Sequence, residues 1–323
     1  VYFMAKIGLS WDDAEIVSAH GRDCGLVSLI RTNKKVFSIL GTKDKVAELA
    51  GKLTDYGMGD VLLYVGENLS YADERIFVKP AKELRDYQGD ALSVLCAYNE
   101  KAADPPATHG LPDEAFIRGK APMTKTEVRT VSLGKLQLTE DAVCYDVGAG
   151  TGSVSVEMAL RAFRGSVYAV EKKEEAALLL EENKRKFAAD NLTVIRGTAP
   201  DALRELPAPT HAFIGGSSGN LREIIALLLE KNSRVRIVIN CITLETVSEA
   251  LEIIRRLEEK ESGASWDTEI VQLAVSRAKK AGPYHMMMGE NPIYIITIQA
   301  RDREDGAQTK AKNTERPQEG KTS

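Results

Sequence analysis

Between residues 127 and 260, short apolar runs alternate with stretches of helical spacing, one after another. The pattern predicts helices over 127–138, 154–163, 174–189, 201–206, 221–230 and 244–260, and strands over 142–147, 167–171, 192–196, 211–214 and 235–240. Few folds are open to such a chain. Each strand returns to the sheet through a helix, so the strands run parallel with right-handed crossovers and helices cover both faces. Two late strands, 269–275 and 293–300, follow with no helix between them and predict an antiparallel strand at one edge. No internal repeat is present.

Ahead of this series lies a smaller α/β piece. Strands are predicted over 35–40, 61–65 and 74–79. A helix over 43–56 carries Ala47, Leu49, Ala50 and Leu53 on its apolar face, and Gly57 stops it. Segment 103–110, with Pro105, Pro106 and Gly110, breaks the pattern and reads as a linker. Residues 301–323 are almost wholly polar and cannot bury enough apolar surface to offset their ordering entropy, so disorder is expected there. The first residues, Val1 to Lys6, lack the features of a signal peptide and read as entering inside a domain.

A chain of 323 residues accommodates two domains. The net charge of -4 and the pI near 5.8 argue against a dedicated nucleic-acid binder, which carries a basic excess. No run approaches the roughly 18 apolar residues of a membrane span. Cys24, Cys96, Cys144 and Cys241 show no CxxC spacing, so no metal site is expected. Cys144 and Cys241 fall inside apolar strands and read as buried. This pattern suits a reducing cytosol.

The chemistry concentrates where strands end. Asp146, Val147, Gly148, Ala149, Gly150, Thr151 and Gly152 lie between a strand and a helix. Glycines there allow a tight turn and let a ligand lie against the main chain. Glu171 ends the next strand, where a carboxylate can accept both hydroxyls of a ribose. Gly197, Thr198, Ala199 and Pro200 end the third strand with small residues that leave room for a flat ring. Gly215, Gly216 and Ser217 follow the fourth strand and offer backbone N–H groups to a substrate carboxylate. Thr124 and Glu127 have the spacing of a capping box at the start of the helix over 127–138.

The run from Asp146 to Gly152 resembles the first motif of class I S-adenosylmethionine methyltransferases, not the dinucleotide fingerprint, whose third glycine would fall at Ser153. The Asn/Asp-Pro-Pro-aromatic motif of amino-methyltransferases is missing after the fourth strand. Residues 110–118, 122–125 and 127–129, then 146–152, 197–200, 215–217, 240–250 and 291–292 follow in an order similar to the decarboxylating precorrin carbon-15 methyltransferases of cobalamin biosynthesis. That resemblance covers residues 110–300. It implies a Rossmann-like α/β fold with a mostly parallel sheet and S-adenosylmethionine contacts at Thr124, Gly148, Ala149, Gly150, Thr151, Gly152, Glu171 and Ala199. It also implies a precorrin-6B or cobalt-precorrin-6B type tetrapyrrole as substrate, often a homotetramer, a cytoplasmic setting, and no protein-bound metal, any cobalt arriving in the substrate. Ser10 to Asp13, Ser18 to Arg22 and Val65 to Leu69 are similar to the precorrin carbon-5 methyltransferases of the tetrapyrrole methylase family, which some organisms fuse to the carbon-15 enzyme. The match covers only the later part of that module, so carbon-5 activity is not expected, and a structural role for His20 and Arg22 outweighs substrate contact.

The division expected is therefore a partial tetrapyrrole-methylase lobe over 1–102, a linker over 103–110, a methyltransferase over 111–300 and a tail. Such a substrate carries many carboxylates, for which Lys120, Lys125, Arg129, Arg277 and His285 are the candidate partners. Glu127 or His285 is the candidate for proton transfer. Two other readings compete: an RNA methyltransferase of similar fold, recognisable by steep salt dependence, and a non-enzymatic assembly subunit that fails to bind the cofactor.

Overall fold

The computed structural model describes residues 1–18, 25–104, 110–259 and 265–301. The first lobe contains α1 (Tyr2–Lys6), β1 (Glu15–Ser18), α2 (Leu26–Thr32), β2 (Lys35–Ile39), α3 (Lys45–Asp55), β3 (Leu62–Glu67), β4 (Arg75–Pro80) and β5 (Ser93–Tyr98). Its sheet runs β1-β2-β5-β3-β4, with only the first pair parallel. On α3 the buried stripe is Val46, Leu49, Ala50 and Leu53, the helical i, i+3, i+4, i+7 spacing. Val46, not Ala47, heads it. The sequence pattern missed β5 and α2, both short apolar runs in which periodicity cannot separate strand from helix.

The second lobe contains α4 (Thr126–Leu136), β6 (Val143–Val147), α5 (Ser153–Arg161), β7 (Ser166–Glu171), α6 (Glu174–Phe187), β8 (Leu192–Arg196), β9 (His211–Ile214), α7 (Leu221–Lys231), β10 (Arg236–Cys241), α8 (Leu244–Glu259), β11 (Trp266–Leu273), β12 (Ser276–Ala281), β13 (Tyr284–Gly289) and β14 (Ile293–Ala300). The seven-stranded sheet runs β11-β14-β10-β9-β6-β7-β8. The five strands from β10 to β8 are parallel, and β14 is antiparallel to both β10 and β11. The reversed strand thus lies one place in from the edge, because β11 reaches past it to form the border. The expected helix over 201–206 is only a short turn at Asp201–Leu203. The interval between the two late strands is not plain loop: β12 and β13 form a separate hairpin.

Strand alternation sorts the core into two layers. Cys144, Val167, Val238 and Ile295 pack with α4, α5 and α6 on one face. Tyr145, Val147, Ile237, Ile239 and Cys241 pack with α7 and α8 on the other. On α7, Leu221, Ile224, Ile225 and Leu228 are fully buried, each contributing roughly 1.5–3 kcal/mol by leaving water. Cys144 and Cys241 are buried, as their runs implied.

The lobes touch directly. The Asp190 carboxylate accepts the Val27 and Ser28 amides at the start of α2, at 3.0 and 3.2 Å. Ala188 packs into the first lobe's core, and Arg164 pairs with Glu15 at 2.9 Å. Most of the linker and the tail, with His20, Arg22 and Cys24, lie outside the described residues. Among the described residues no helix is long and apolar enough to cross a membrane.

Candidate functional site

The parallel strands deliver their carboxyl ends to one edge of the sheet, and a cavity of about 310 Å³ opens there. The chain leaves β6 into a turn in which Gly148, Gly150 and Gly152 all have positive φ, at 75°, 57° and 78°. The turn is tied to the next strand: the Gly148 and Ala149 amides donate to Val170 O at 3.0 and 3.2 Å. Glu171, almost fully buried, accepts the Gly150 amide on Oε2 at 2.9 Å and the Lys173 amide on Oε1 at 2.8 Å. Each oxygen keeps a second lone pair.

The cavity wall brings together Thr124, Lys125, Gly148, Ala149, Gly150, Glu171, Gly197, Thr198, Ala199, Gly215, Gly216 and Ser217. Residues from five separate segments therefore meet as the sequence implied. Thr151 and Gly152 sit behind the wall; Thr151 is buried, with no partner for its hydroxyl among the described residues. The structure also adds residues that sequence reasoning passed over. Lys172 Nζ reaches Ser218 Oγ at 2.9 Å, and Lys172 lines the same cavity. Asn220 donates to Ala199 O at 3.1 Å. Asn240, the residue closing the strand predicted over 235–240, lines this cavity and a second one beside it.

Several expectations are corrected. The Gly215 and Gly216 amides already donate to Val147 O, at 2.9 and 3.2 Å, so they are not available to a carboxylate. The helix α7 begins only at Leu221. Arg129 is fully buried and bonded to Glu157, Asp113, Thr124 O and Leu111 O, so it cannot meet a substrate. Lys120 is exposed and away from the cavity. Arg277 and His285 lie on the β12–β13 hairpin, and Glu127 is engaged in an ion pair with Arg277. Glu127, Arg277 and His285 line neither cavity at the sheet edge. The capping box does not form: Lys125 occupies the N-cap with no side-chain bond, and the Thr124 carbonyl serves Arg129 instead.

Beneath the glycine turn, Asp146 is wholly buried. Its Oδ2 accepts Ser155 Oγ at 2.5 Å, and its Oδ1 has no partner among the described residues. Burial pushes Asp146 up to about 7; the Ser155 bond opposes this and the Glu171 charge adds to it. Between about pH 4 and 7 the folded protein then holds a proton that the unfolded chain has released. Stability falls as pH rises through that window and levels off above it. Asp146→Asn is expected to flatten this slope in urea titrations run across the window. An unchanged slope in the variant would rule out a raised Asp146.

This geometry has relatives. The precorrin methyltransferase domain family matches over residues 114–300. A Pyrobaculum calidifontis protein named "Probable cobalt-precorrin-6B C(15)-methyltransferase (decarboxylating)" is 44% identical over 199 residues, 61% of this chain and 98% of that protein. The solved precorrin-6y C5,15-methyltransferase of Geobacter metallireducens is 36% identical with a TM-score of 0.55, covering 60% of this chain and 98% of that one. The precorrin 8W decarboxylase of Methanobacterium thermoautotrophicum is 34% identical with a TM-score of 0.52, over 58% and 98%. The glycine turn, Glu171, the small residues after β8 and the strand order all fall within the matched segment. By that match, which spans more than half its length, the chain belongs to the precorrin methyltransferase domain family.

Proposed function

We propose that this protein methylates carbon 15 of a precorrin-6B or cobalt-precorrin-6B type tetrapyrrole and removes the carbon-12 acetate carboxyl as carbon dioxide, using S-adenosylmethionine. The observation that carries the reading is the convergence of the glycine turn, Glu171 and Ala199 on one cavity at the sheet's carboxyl edge, in a chain 44% identical to a protein named for that reaction.

The residues present fit the cofactor. A Cβ at Gly148 or Gly150 would lie within 2.7 or 2.5 Å of backbone atoms, so the cradle is closed to side chains and open to a ligand on its other side. Glu171 has lone pairs for the ribose hydroxyls, and Ala199 leaves space for adenine. Bound there, S-adenosylmethionine supplies an electrophilic methyl group. The chain's own part is alignment: the cavity walls set the distance and angle between methyl and acceptor carbon, the source of much of the rate in such transfers. Loss of carbon dioxide leaves an electron pair delocalised into the conjugated macrocycle, and a proton taken up from water completes the carbon-12 methyl group, so no protein base is required. Lys125 and Lys172, both on the wall, are placed to meet substrate carboxylates.

Mass spectrometry of cobalt-precorrin-6B incubated with the protein and S-adenosylmethionine tests the reading. One methyl gained and one carbon dioxide lost is the expected product. A protein that binds S-adenosylmethionine yet leaves this acceptor unchanged overturns it. Glu171→Ala is expected to raise the Kd for S-adenosylmethionine by about 10–100-fold, since it removes a charged acceptor and releases the Gly150 amide. Calorimetric titration measures this.

The first lobe is read as part of a tetrapyrrole methylase, on the Val65 to Leu69 segment. Within it Glu67 is nearly inaccessible and accepts Arg75, Tyr87 and the Asp90 amide, a structural duty. We therefore expect methylation at carbon 15 alone, in a cytoplasmic setting. A homotetramer is supported by the β12–β13 hairpin, whose Tyr284, Met286, Met287 and Met288 are 50–73% exposed, a side-chain set suited to burial against other copies. Replacing the three methionines by serine is expected to lower the mass measured by light scattering to that of smaller assemblies. An unchanged mass places the contact elsewhere.

A further inference from the structure

An apolar row runs along the carboxyl edge of the sheet, beside the cofactor contacts. Side chains alternate along β14, so Ile293 lies on the same face as Ile295, the face toward α4, one step nearer the edge. Ile293 pairs with Leu273 of β11. On its other side the β10–β14 register ends at Cys241 and Tyr294, and the next step brings Ile242 beside Ile293. Leu273, Ile293 and Ile242 thus stand side by side across three neighbouring segments. At the spacing of sheet strands the row is about 10 Å wide.

Leu273 and Ile293 rest on the core beneath them. Ile242 does not: it is 61% exposed, although Cys241 before it is fully buried. Ile242 and Ile293 both wall the cofactor cavity, and Ile242 also walls a neighbouring one of about 260 Å³ past the ends of β9 and β10. One exposed isoleucine is ordinary on a protein surface. One that extends an apolar row into a ligand cavity marks a surface that a ligand covers. The charges around the row favour an anion. Lys125, Lys172 and Lys173 line the cofactor cavity, and Glu171, the one acid among the described residues lining it, is held by the Gly150 and Lys173 amides. Lys125 also lies 3.6 Å from Asp113, but that carboxylate is shared with Arg118 and Arg129. An apolar platform edged by ammonium groups fits a ligand with a broad apolar face and a rim of carboxylates. A single nucleobase is narrower than the row.

We propose that Ile242, with Ile293 and Leu273, forms the platform on which the macrocycle of the methyl acceptor lies, and that Ile242 sets the preference for such an acceptor. The inference rests on the tetrapyrrole reading above. The contact is to carbon atoms of the macrocycle, so a metal held by the ring nitrogens leaves it intact. Ile242 loses water when the acceptor binds, and Ile293 and Leu273 keep the platform level with the cavity mouth.

The test compares Ile242→Ser, Ile242→Leu and Leu178→Ser with the wild-type protein. It uses cobalt-precorrin-6B as acceptor, separate titrations of S-adenosylmethionine, and light scattering for the assembled mass. Leu178, half-exposed on α6 and lining neither cavity, controls for the loss of an exposed apolar side chain. Wild-type turnover tests the functional reading; the ratio of variant to wild type tests this inference. Ile242→Ser is expected to raise KM for the tetrapyrrole about 5–30-fold, the loss that covering a largely exposed isoleucine implies, with kcat within about threefold. Ile242→Leu keeps the apolar bulk and is expected to stay within about threefold of wild type in KM. Leu178→Ser is expected to match wild type. The S-adenosylmethionine Kd and the assembled mass are expected to be unchanged in all three. Because the Ile242 side chain stands mostly in water, its replacement does not put folding at stake. Wild-type KM in Ile242→Ser overturns the proposal, as does a leucine variant as poor as the serine one. So does a parallel rise in the S-adenosylmethionine Kd, which would make Ile242 a wall of the cofactor cavity only, or a fall in mass, which would make the row a contact between copies.

Discussion

Gly148→Ala is expected to abolish cofactor binding, raising the Kd for S-adenosylmethionine by at least about 100-fold, or about 2.7 kcal/mol. Gly148 sits at φ +75°, a conformation that L side chains resist. A Cβ there would lie 2.7 Å from Gly216 O, 2.8 Å from Gly216 N and 2.9 Å from Gly216 Cα. All three are backbone atoms, and Gly216 is itself bonded to Val147 O, so no flexible side chain can give way. The turn after β6 and the loop after β9 must separate, and both walls of the cavity move. Backbone strain of this kind costs about 1–3 kcal/mol of stability as well. Gly134→Ala, on the exposed side of α4 with nothing within 4 Å, is the matched control. It is expected to leave binding unchanged and to gain up to about 1 kcal/mol from helix propensity. Calorimetry and thermal denaturation of both variants measure these effects. Near-wild-type affinity in Gly148→Ala would falsify the close approach of the two loops.

Arg129→Met is expected to be the most destabilising single change, by about 3–5 kcal/mol. The guanidinium is wholly buried, and Nε donates to Glu157 Oε1 at 2.6 Å. Nη1 reaches Thr124 O at 2.5 Å and Asp113 at 3.4 Å, and Nη2 reaches Leu111 O at 2.5 Å. The group also lies 4.8 Å from the centre of the Phe116 ring. Removing it strands Glu157, which is fully buried, and takes one cation from Asp113, which keeps Arg118 at 3.4 Å and Lys125 at 3.6 Å. A drop in Tm of about 10 °C corresponds to that loss for a protein of this size. Lysine does not rescue it, because one ammonium cannot serve carboxylates and carbonyls spread around a planar fork. Burial already pushes Glu157 above the usual carboxylate range, and Arg129 holds it down. Without Arg129 the carboxyl shifts further up and takes a proton. The variant's deficit is therefore expected to shrink as pH falls below that raised value and to be largest above it. Arg129→Met with Glu157→Leu, which removes the stranded charge, should recover part of the loss. A deficit below about 1 kcal/mol in the single variant would show that the cluster does not hold the segment. Because Thr124 O is one of its partners, the same cluster fixes the 122–125 stretch that walls the cavity.

The alternation after residue 127 determined the parallel sheet, since strands buried on both faces and helices with one apolar face have few ways to pack. The three glycines and Glu171 were legible because a backbone in a left-handed turn and a carboxylate at a strand end leave local marks. Arg129 misled for a physical reason: charge at neutral pH says nothing about burial, and only the folded chain shows Glu157 waiting beside it. Arg277 and His285 misled because sequence order near a strand end does not say whether the chain stays at the sheet edge. A short Gly282 turn, at φ +60°, carries both residues away on a hairpin.

Local spacing by itself determined the parallel strands of the second lobe, the tight glycine turn after β6 and where the carboxyl edge lies, because these depend on near neighbours and on backbone sterics. The tertiary structure alone decided that Gly148 presses on Gly216, that Lys172 meets Ser218, and that Asn240 faces Ser132 across 108 positions of chain. Such contacts join residues far apart in sequence, and their energies depend on distances of a few ångströms that no local pattern encodes.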